Sequence, residues 1–92
     1  MKIQYTSKFW RQYKKLPAEA KQMFSVKKQI FEQNPFDPKL KTHKLHGRLE
    51  EYWAFYIAYD LRIVFKFINS DEVIFHSIND HNGYKMLFRL LF

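Results

Sequence analysis

The stretch that decides the fold is residues 52–68, which reads YWAFYIAYDLRIVFKFI. Side chains alternate with a period of two on both sides of Asp60, and this pattern predicts two half-buried strands joined by a tight turn. One face of this hairpin contains large apolar side chains: Trp53, Phe55, Ile57, Tyr59, Leu61, Ile63, Phe65 and Phe67. The other face contains smaller or polar ones: Tyr52, Ala54, Tyr56, Ala58, Arg62, Val64, Lys66 and Ile68.

The segments around this hairpin predict an α+β domain. Downstream, the turn residues Asn69–Asp71 indicate a third antiparallel strand over residues 72–78. Upstream, Lys2–Tyr5 alternates as a short strand, and two helical patterns follow that Pro17 separates and Asn34–Pro35 ends. The apolar positions of these helices are Phe9, Trp10, Tyr13, Leu16, Ala20, Met23, Phe24, Ile30 and Phe31. We therefore expect an N-terminal strand and a two-helix hairpin packed on a twisted antiparallel sheet of about four strands.

Composition narrows the class of protein. The 92 residues are 47% hydrophobic and 20% aromatic, with two Gly and no Cys. The lack of Cys excludes a disulfide scaffold and a thiolate nucleophile, and two glycines are too few for a Gly-rich phosphate loop or a Gly-x-Ser-x-Gly elbow. The longest apolar run, residues 52–59, is too short to span a bilayer. We expect one cytoplasmic domain over residues 1–92, with no membrane association, metal or cofactor.

The net charge of +7 is concentrated in the first part of the chain. Residues 1–50 contain twelve Lys or Arg and four Asp or Glu, whereas residues 51–92 contain four and five. This asymmetry favours a polyanionic partner, either a nucleic acid or an acidic protein. The alternative is that the lysines only keep a small protein in solution.

Residues 39–48 form a basic segment without an acidic side chain. Such a segment binds phosphates or is simply a solvated loop. Arg62 and Lys66 share a strand face that has Tyr52 and Tyr56 beside it, and cations interleaved with aromatic rings are typical of single-stranded RNA binding. The structural alternative for Arg62 is a salt bridge with Glu72. The predicted RNA-binding residues are Lys41, Lys44, Arg48, Lys66 and Tyr56.

Histidines next to these cations permit acid–base chemistry near neutral pH. RNA supplies its own 2′-OH nucleophile, so a base, an acid and a cation at the phosphate suffice for cleavage. His43, His46 and His81 are the candidates for acid and base, and Arg62 is the candidate cation. His76 lies within a predicted strand and is interpreted as structural. The His-x-x-His spacing of His43 and His46 is a weak metal signal, because a zinc site needs three or four ligands.

In order and spacing, these elements resemble the RelE/ParE superfamily of type II toxins. The segments that carry the resemblance are Lys14–Pro17, Asn34–Pro35, Leu40–Leu49, Tyr52–Trp53, Asp60–Phe65 and Ile78–His81. The chain is most similar to the RelE/YafQ-like branch. That resemblance implies a ribosome-dependent mRNA endonuclease whose partners are a cognate antitoxin, mRNA and the ribosomal RNA.

The resemblance also implies which residues act. His43, His81 and Asp60 fall on functional positions of the RelE/YafQ-like branch, and Arg62 matches a strand arginine that acts on the scissile phosphate. Tyr84 is one position earlier than the aromatic residue of that branch, and we expect it to stack on a base or assist proton transfer. With His46 from the basic segment, the candidate catalytic residues are His43, His46, Asp60, Arg62, His81 and Tyr84.

Two other readings of the sequence remain open. A ParE-like protein would inhibit DNA gyrase without cleaving RNA, and a third possibility is a non-catalytic RNA-binding domain. We expect an antitoxin to lay an acidic or amphipathic segment across the basic surface or against the helical hairpin. The apolar tail, residues 86–92, either contributes to that contact or completes the core.

Overall fold

The computed structural model describes residues 1–47, 51–58 and 61–79 of the chain. Its elements are β1 (Lys2–Tyr5), α1 (Ser7–Lys14), α2 (Ala18–Gln33), a 3-10 turn (Pro38–Leu40), β2 (His43–Lys44), β3 (Trp53–Ala58), β4 (Leu61–Asn69) and β5 (Glu72–Asn79). The predicted α+β class, the two-helix hairpin and the antiparallel run of strands are confirmed. The turn at Asp60 and the C-terminal segment lie outside the described residues.

The strands form one mixed sheet in the order β1-β5-β4-β3-β2. Strands β2 to β5 are antiparallel to their neighbours, whereas β1 pairs parallel with β5, from Lys2 opposite Glu72 to Tyr5 opposite Phe75. The prediction of about four antiparallel strands is therefore corrected to five strands with one parallel pair. Two of these strands involve distant or very short segments, namely β1, whose partner is far along the chain, and the two-residue β2.

Side-chain hydrogen bonds fix α1 against the end of β5. The Thr6 hydroxyl caps α1 by accepting from the Phe9 amide at 3.0 Å, and it donates to the His76 carbonyl at 2.6 Å. The buried Gln12 accepts at Oε1 from the Ile78 amide at 2.7 Å. A buried backbone N–H needs such a partner. These bonds therefore hold the second half of β5, which contributes to the candidate site, in a fixed position.

The core lies between the helices and one face of the sheet. Phe31 of α2 contacts the rings of Phe55, Phe65 and Phe75 at centroid distances of 4.8, 5.0 and 5.3 Å. Burying each such ring stabilises the fold by about 1.5–3 kcal/mol. The predicted core residues that are buried are Phe9, Leu16, Ala20, Phe24, Phe31, Phe55, Ile57, Leu61, Ile63 and Phe65. Trp10 and Met23 also have helical apolar spacing, but they are 41% and 40% exposed.

The other face of the sheet is turned away from the helices, and we call it the outer face. The predicted alternation is confirmed here, because Arg62, Val64 and Lys66 lie opposite the core residues of β4. A register shift between β4 and β5 leaves His76 as the extra residue between the pairs Val64–Ser77 and Phe65–Phe75. Among the described residues, no helix is both long and apolar enough to cross a membrane.

Candidate functional site

The first group of polar side chains on the outer face crosses four strands. Tyr56 of β3 pairs with Arg62 of β4, which pairs with Asn79 of β5. The His43 ring of β2 stacks on the Tyr56 ring, with centroids 5.8 Å apart and an interplanar angle of 24°. Neighbouring strands are about 4.8 Å apart, so a single ligand can contact several of these side chains. We call His43, Tyr56 and Arg62 the His43 row.

The geometry of His43 defines its tautomer. Its Nδ1 lies 3.1 Å from the carbonyl oxygen of Lys41. A carbonyl oxygen only accepts, so Nδ1–H is the donor, and Nε2 of the neutral ring carries the lone pair. Lys41 holds this carbonyl in a left-handed backbone conformation, with φ of 53°. The neutral His43 ring can therefore accept a proton at Nε2.

Arg62 is a half-buried cation without a counterion among the residues that the structure describes. Its Nε is buried and has no hydrogen-bond partner within the described parts of the chain. The alternative of a salt bridge with Glu72 is wrong, since Glu72 lies at the other end of β5, where it accepts from Asn69 Nδ2 at 3.3 Å. A guanidinium that retains unpaired donors is suited to a phosphate, which it can bind through two parallel hydrogen bonds.

A second group on the outer face also contains a histidine, a tyrosine and a cation. Lys66 Nζ lies 5.6 Å from the centroid of the Tyr52 ring and 3.8 Å from Glu51 Oε2. The Tyr52 and His76 rings have centroids 5.1 Å apart, and His76 Nδ1 lies 3.0 Å from the Ser77 hydroxyl. Burial lowers the pKa of His76, and the positive charges of Lys8 and Lys66 lower it further. We call Tyr52, Lys66 and His76 the His76 group.

The structure separates several residues that the sequence grouped together. His43, Tyr56 and Arg62 come together, whereas Lys44 pairs with Trp53 and so projects to the opposite side of the sheet from His43. Lys41 and His46 are exposed on the segments that flank β2. Lys66 lies in the His76 group. The remaining predicted site residues fall outside the described parts of the chain: Arg48, Asp60, His81 and Tyr84.

Two outer-face residues were not predicted as part of a site. Asn79 lies directly opposite Arg62, and His76, interpreted from sequence as structural, contacts the Tyr52 ring. The position of His76 could have been predicted, because alternation along the strand from the core residues Val73 and Phe75 puts it on the outer face. Among residues 1–47, 51–58 and 61–79, no three His, Asp or Glu side chains are grouped in a way that could hold a metal ion.

A protein-family model matches residues 1–86, and it describes the bacterial toxin YafQ of type II toxin–antitoxin systems. The chain therefore belongs to the YafQ family of type II toxins, which confirms the RelE/YafQ-like resemblance. It is a toxin of a type II toxin–antitoxin system. A search of curated protein sequences finds no significant match.

Solved structures of other toxins share the fold. A YoeB/ParE toxin from Agrobacterium tumefaciens superimposes with a TM-score of 0.74 at 21% identity, covering 88% of this chain and 99% of its own. YafQ from E. coli strain BL21(DE3) gives 0.70 at 17% identity, with coverages of 94% and 96%. The heterotetrameric YoeB–YefM toxin–antitoxin complex from Staphylococcus aureus gives 0.71 at 16%, with coverages of 88% and 97%. At sequence identities of 21%, 17% and 16%, these structural similarities establish the fold alone.

Proposed function

We propose that this toxin is a ribosome-dependent mRNA endonuclease. The observation that carries the proposal is the His43 row, in which a half-buried arginine, its Nε unpartnered among the described residues, and a histidine that donates through Nδ1 lie two strands apart on the outer face. A tyrosine ring between them offers a surface on which a base can stack. Membership of the YafQ family supports the same activity.

The proposed reaction uses the RNA's own nucleophile. A histidine removes the proton of the 2′-OH, and the 2′-oxygen forms a bond to the adjacent phosphorus. The bond from phosphorus to the 5′-oxygen then breaks, and a second group donates a proton to that oxygen. The products are a 2′,3′-cyclic phosphate and a 5′-OH. Arg62 stabilises the negative charge that accumulates on the phosphorane oxygens.

We assign the acid and base roles to His43 and His81, in either order, with Asp60 and Tyr84 in support. Tyr56 stacks on a base, and Lys41 holds a neighbouring phosphate. Lys44 contributes less than the sequence predicts, because it projects to the other side of the sheet. Lys66 contributes less as well, because it already contacts Glu51 and the Tyr52 ring.

We further propose that a cognate antitoxin neutralises this protein in the cytoplasm. Two observations support the partner. The family is described as the toxins of type II toxin–antitoxin systems. The YoeB toxin of Staphylococcus aureus, which has the same fold, forms a heterotetramer with YefM. An excess of lysine and arginine in residues 1–50 suits an acidic partner protein.

The test is cleavage of mRNA on programmed ribosomes. Purified toxin is added to ribosomes stalled at a defined codon, and the new 5′ ends are mapped by primer extension. We expect cleavage within the A-site codon, and we expect it to disappear in Arg62→Ala and in His81→Ala. Thermal melting shows that each variant remains folded.

One outcome would overturn the nuclease and favour the gyrase inhibitor. If the mRNA stays intact at toxin levels that still arrest growth, the toxin acts elsewhere, and a supercoiling assay with purified gyrase then becomes decisive. Cleavage that persists in both variants would retain the nuclease but remove the His43 row as its site.

A further inference from the structure

The His76 group is a polar cluster on the outer face that takes no step in the proposed reaction. Tyr52 immediately precedes β3, Lys66 lies on β4 and His76 lies on β5. Because the Tyr52 and His76 rings have centroids 5.1 Å apart, the tyrosine reaches across β4 to β5. All three side chains are half-buried, so each retains a surface that a ligand can contact.

The sheet sets the distance between the His76 group and the His43 row. Tyr52 and Tyr56 are four residues apart along the β3 segment, and Arg62 and Lys66 are four residues apart along β4. Four residues of a strand span about 13 Å and end on the same face. An RNA whose scissile phosphate lies at Arg62 therefore reaches the His76 group with a neighbouring nucleotide rather than with the reacting one.

Positive charge surrounds the His76 ring. Lys8 of α1 and Lys66 lie close enough to lower the pKa of His76, in addition to the larger effect of burial, so the ring is neutral at neutral pH. Glu51, with its exposed carboxylate 3.8 Å from Lys66 Nζ, is an acidic side chain in contact with the group. Two lysines and one exposed carboxylate leave the group net positive.

The hydrogen bonding of His76 leaves one ring nitrogen for a ligand. Its Nδ1 lies 3.0 Å from the Ser77 hydroxyl, and no residue in the described parts of the chain bonds to its Nε2. A neutral imidazole has one N–H donor and one lone pair. Because a hydroxyl can donate or accept, Nε2 can present either of them to the edge of a base.

These properties together favour a nucleotide as the ligand. Proteins bind single-stranded RNA with aromatic rings on which bases stack, with cations near the phosphates and with hydrogen bonds to the base edges. The Tyr52 ring, the lysines and His76 Nε2 supply one of each. An acidic peptide would use the lysines, but a half-buried phenol ring beside a neutral imidazole favours a planar heterocycle.

We propose that the His76 group is a second nucleotide-binding site, which recognises a nucleotide near the cleaved bond and sets the base preference of the toxin. Tyr52 stacks on the base, His76 hydrogen-bonds to its edge, and Lys66 lies near its phosphate. The inference rests on the proposed function for the identity of the ligand as RNA. The two groups on the outer face then divide the work, because the His43 row determines the rate and the His76 group determines the preferred sequence.

The first experiment compares ribosome-bound messages that differ only in the nucleotides flanking the cleaved bond. We expect the wild type to prefer one base at one of these positions in single-turnover cleavage. His76→Gln should reduce the ratio of rates between the best and the worst base there by about threefold to tenfold. The rate on the best message should change by no more than a few-fold. A purely structural role of His76 would lower the melting temperature and all rates together and leave the ratio unchanged.

The second experiment measures binding without ribosome or cleavage. The full chain is titrated with 2′-O-methyl trinucleotides, and the ring-proton shifts of Tyr52 and His76 report where they bind. Tyr52→Leu should raise the Kd by about fivefold or more, whereas Tyr52→Phe keeps the ring and should stay within about twofold of the wild type. Trp10→Leu removes a 41% exposed ring from α1, on the helical side of the sheet, and is the matched control.

Several results would overturn the inference. They are a wild type with no base preference near the cleaved bond, a preference that His76→Gln leaves intact, and a Kd that rises as much in Trp10→Leu as in Tyr52→Leu. The two experiments also separate this inference from the nuclease. If mRNA stays intact but the trinucleotides shift the Tyr52 and His76 rings, the binding site is retained and the nuclease is lost. If mRNA is cleaved but millimolar trinucleotide leaves both rings unshifted, the nuclease is retained and the second site is lost.

Discussion

The two polar groups on the outer face contain the same kinds of side chain, yet they are prepared for different chemistry. Each has one histidine, one tyrosine and one cation. In the His76 group, Lys66 lies over the Tyr52 ring and 3.8 Å from Glu51, so it already has partners. In the His43 row, Arg62 has no counterion within the described residues and keeps a buried donor unpaired.

The histidines differ in the same way. His43 is fixed through Nδ1 to the Lys41 carbonyl, so Nε2 is the ring nitrogen that carries the lone pair. His76 contacts a hydroxyl that can donate or accept, and burial beside two lysines lowers its pKa. Residue composition therefore does not distinguish a site from its neighbour. In our proposal, what distinguishes them is which hydrogen bonds and charges the described residues leave unsatisfied.

The largest difference should appear between the two histidines. His43→Gln removes one of the two histidines to which we assign proton transfer and is expected to lower the rate of mRNA cleavage on the ribosome by about 10²- to 10⁴-fold. His76→Gln should change it by no more than a few-fold. Single-turnover cleavage of a ribosome-bound message measures the cleavage rates of both variants, and thermal melting checks that each variant is folded. Equal losses at the two positions would mean that the His76 group also contacts the reacting nucleotide.

A smaller difference is expected between the two cations. Arg62→Ala removes the charge that we place on the phosphorane and should cost about 10²- to 10³-fold in the cleavage rate. Arg62→Lys restores the charge without the planar pair of donors and should recover part of that loss. Lys66→Ala tests the cation that already contacts Glu51 in the same assay, where we expect at most a several-fold loss. If Lys66→Ala lowered the cleavage rate as much as Arg62→Ala does, the contact with Glu51 would not explain the difference between the two cations.

The sequence predicts most of the fold because most of its signals are local. The period-two pattern over residues 52–68 gives β3, β4 and their core face, and the turn at Asn69–Asp71 gives β5. The parallel pairing of β1 with β5 depends on contacts between the two ends of the described chain, and no local sequence pattern indicates such a pairing. β2 has only two residues, and pairing with β3 defines it as a strand.

The candidate site is only partly predictable for a related reason. His43, Tyr56 and Arg62 are found from residue type and alternation. The side of the sheet to which Lys44 projects follows from the register of β2 on β3, and the compensation of Lys66 follows from its contact with Glu51. The predictions for Arg48, Asp60, His81 and Tyr84 stay predictions, since these residues lie outside the described parts of the chain.

The smallest expected effect is on the free energy of unfolding, and it concerns His76 rather than His43. Because the pKa of His76 is lowered in the folded chain from its ordinary value of 6.5, the unfolded chain binds more protons as the pH falls through that value. The free energy of unfolding therefore decreases below a pH of about 6.5, and the loss is complete once the folded histidine is also protonated. His76→Gln keeps a polar group beside Ser77 but does not titrate, so its melting temperature should fall less than that of the wild type between neutral and mildly acidic pH.

Two further variants make this result specific. Lys66→Gln removes one of the two positive charges that lower the pKa of His76, and it should reduce the pH dependence only in part, because burial is the larger cause. His46→Gln removes an exposed histidine and controls for the loss of a titratable ring as such. If His46→Gln narrowed the difference in melting temperature between neutral and mildly acidic pH as much as His76→Gln does, the acid sensitivity would belong to the chain's histidines in general. If only His76→Gln and, more weakly, Lys66→Gln narrowed it, the acid sensitivity would belong to His76, whose neutral form the fold favours.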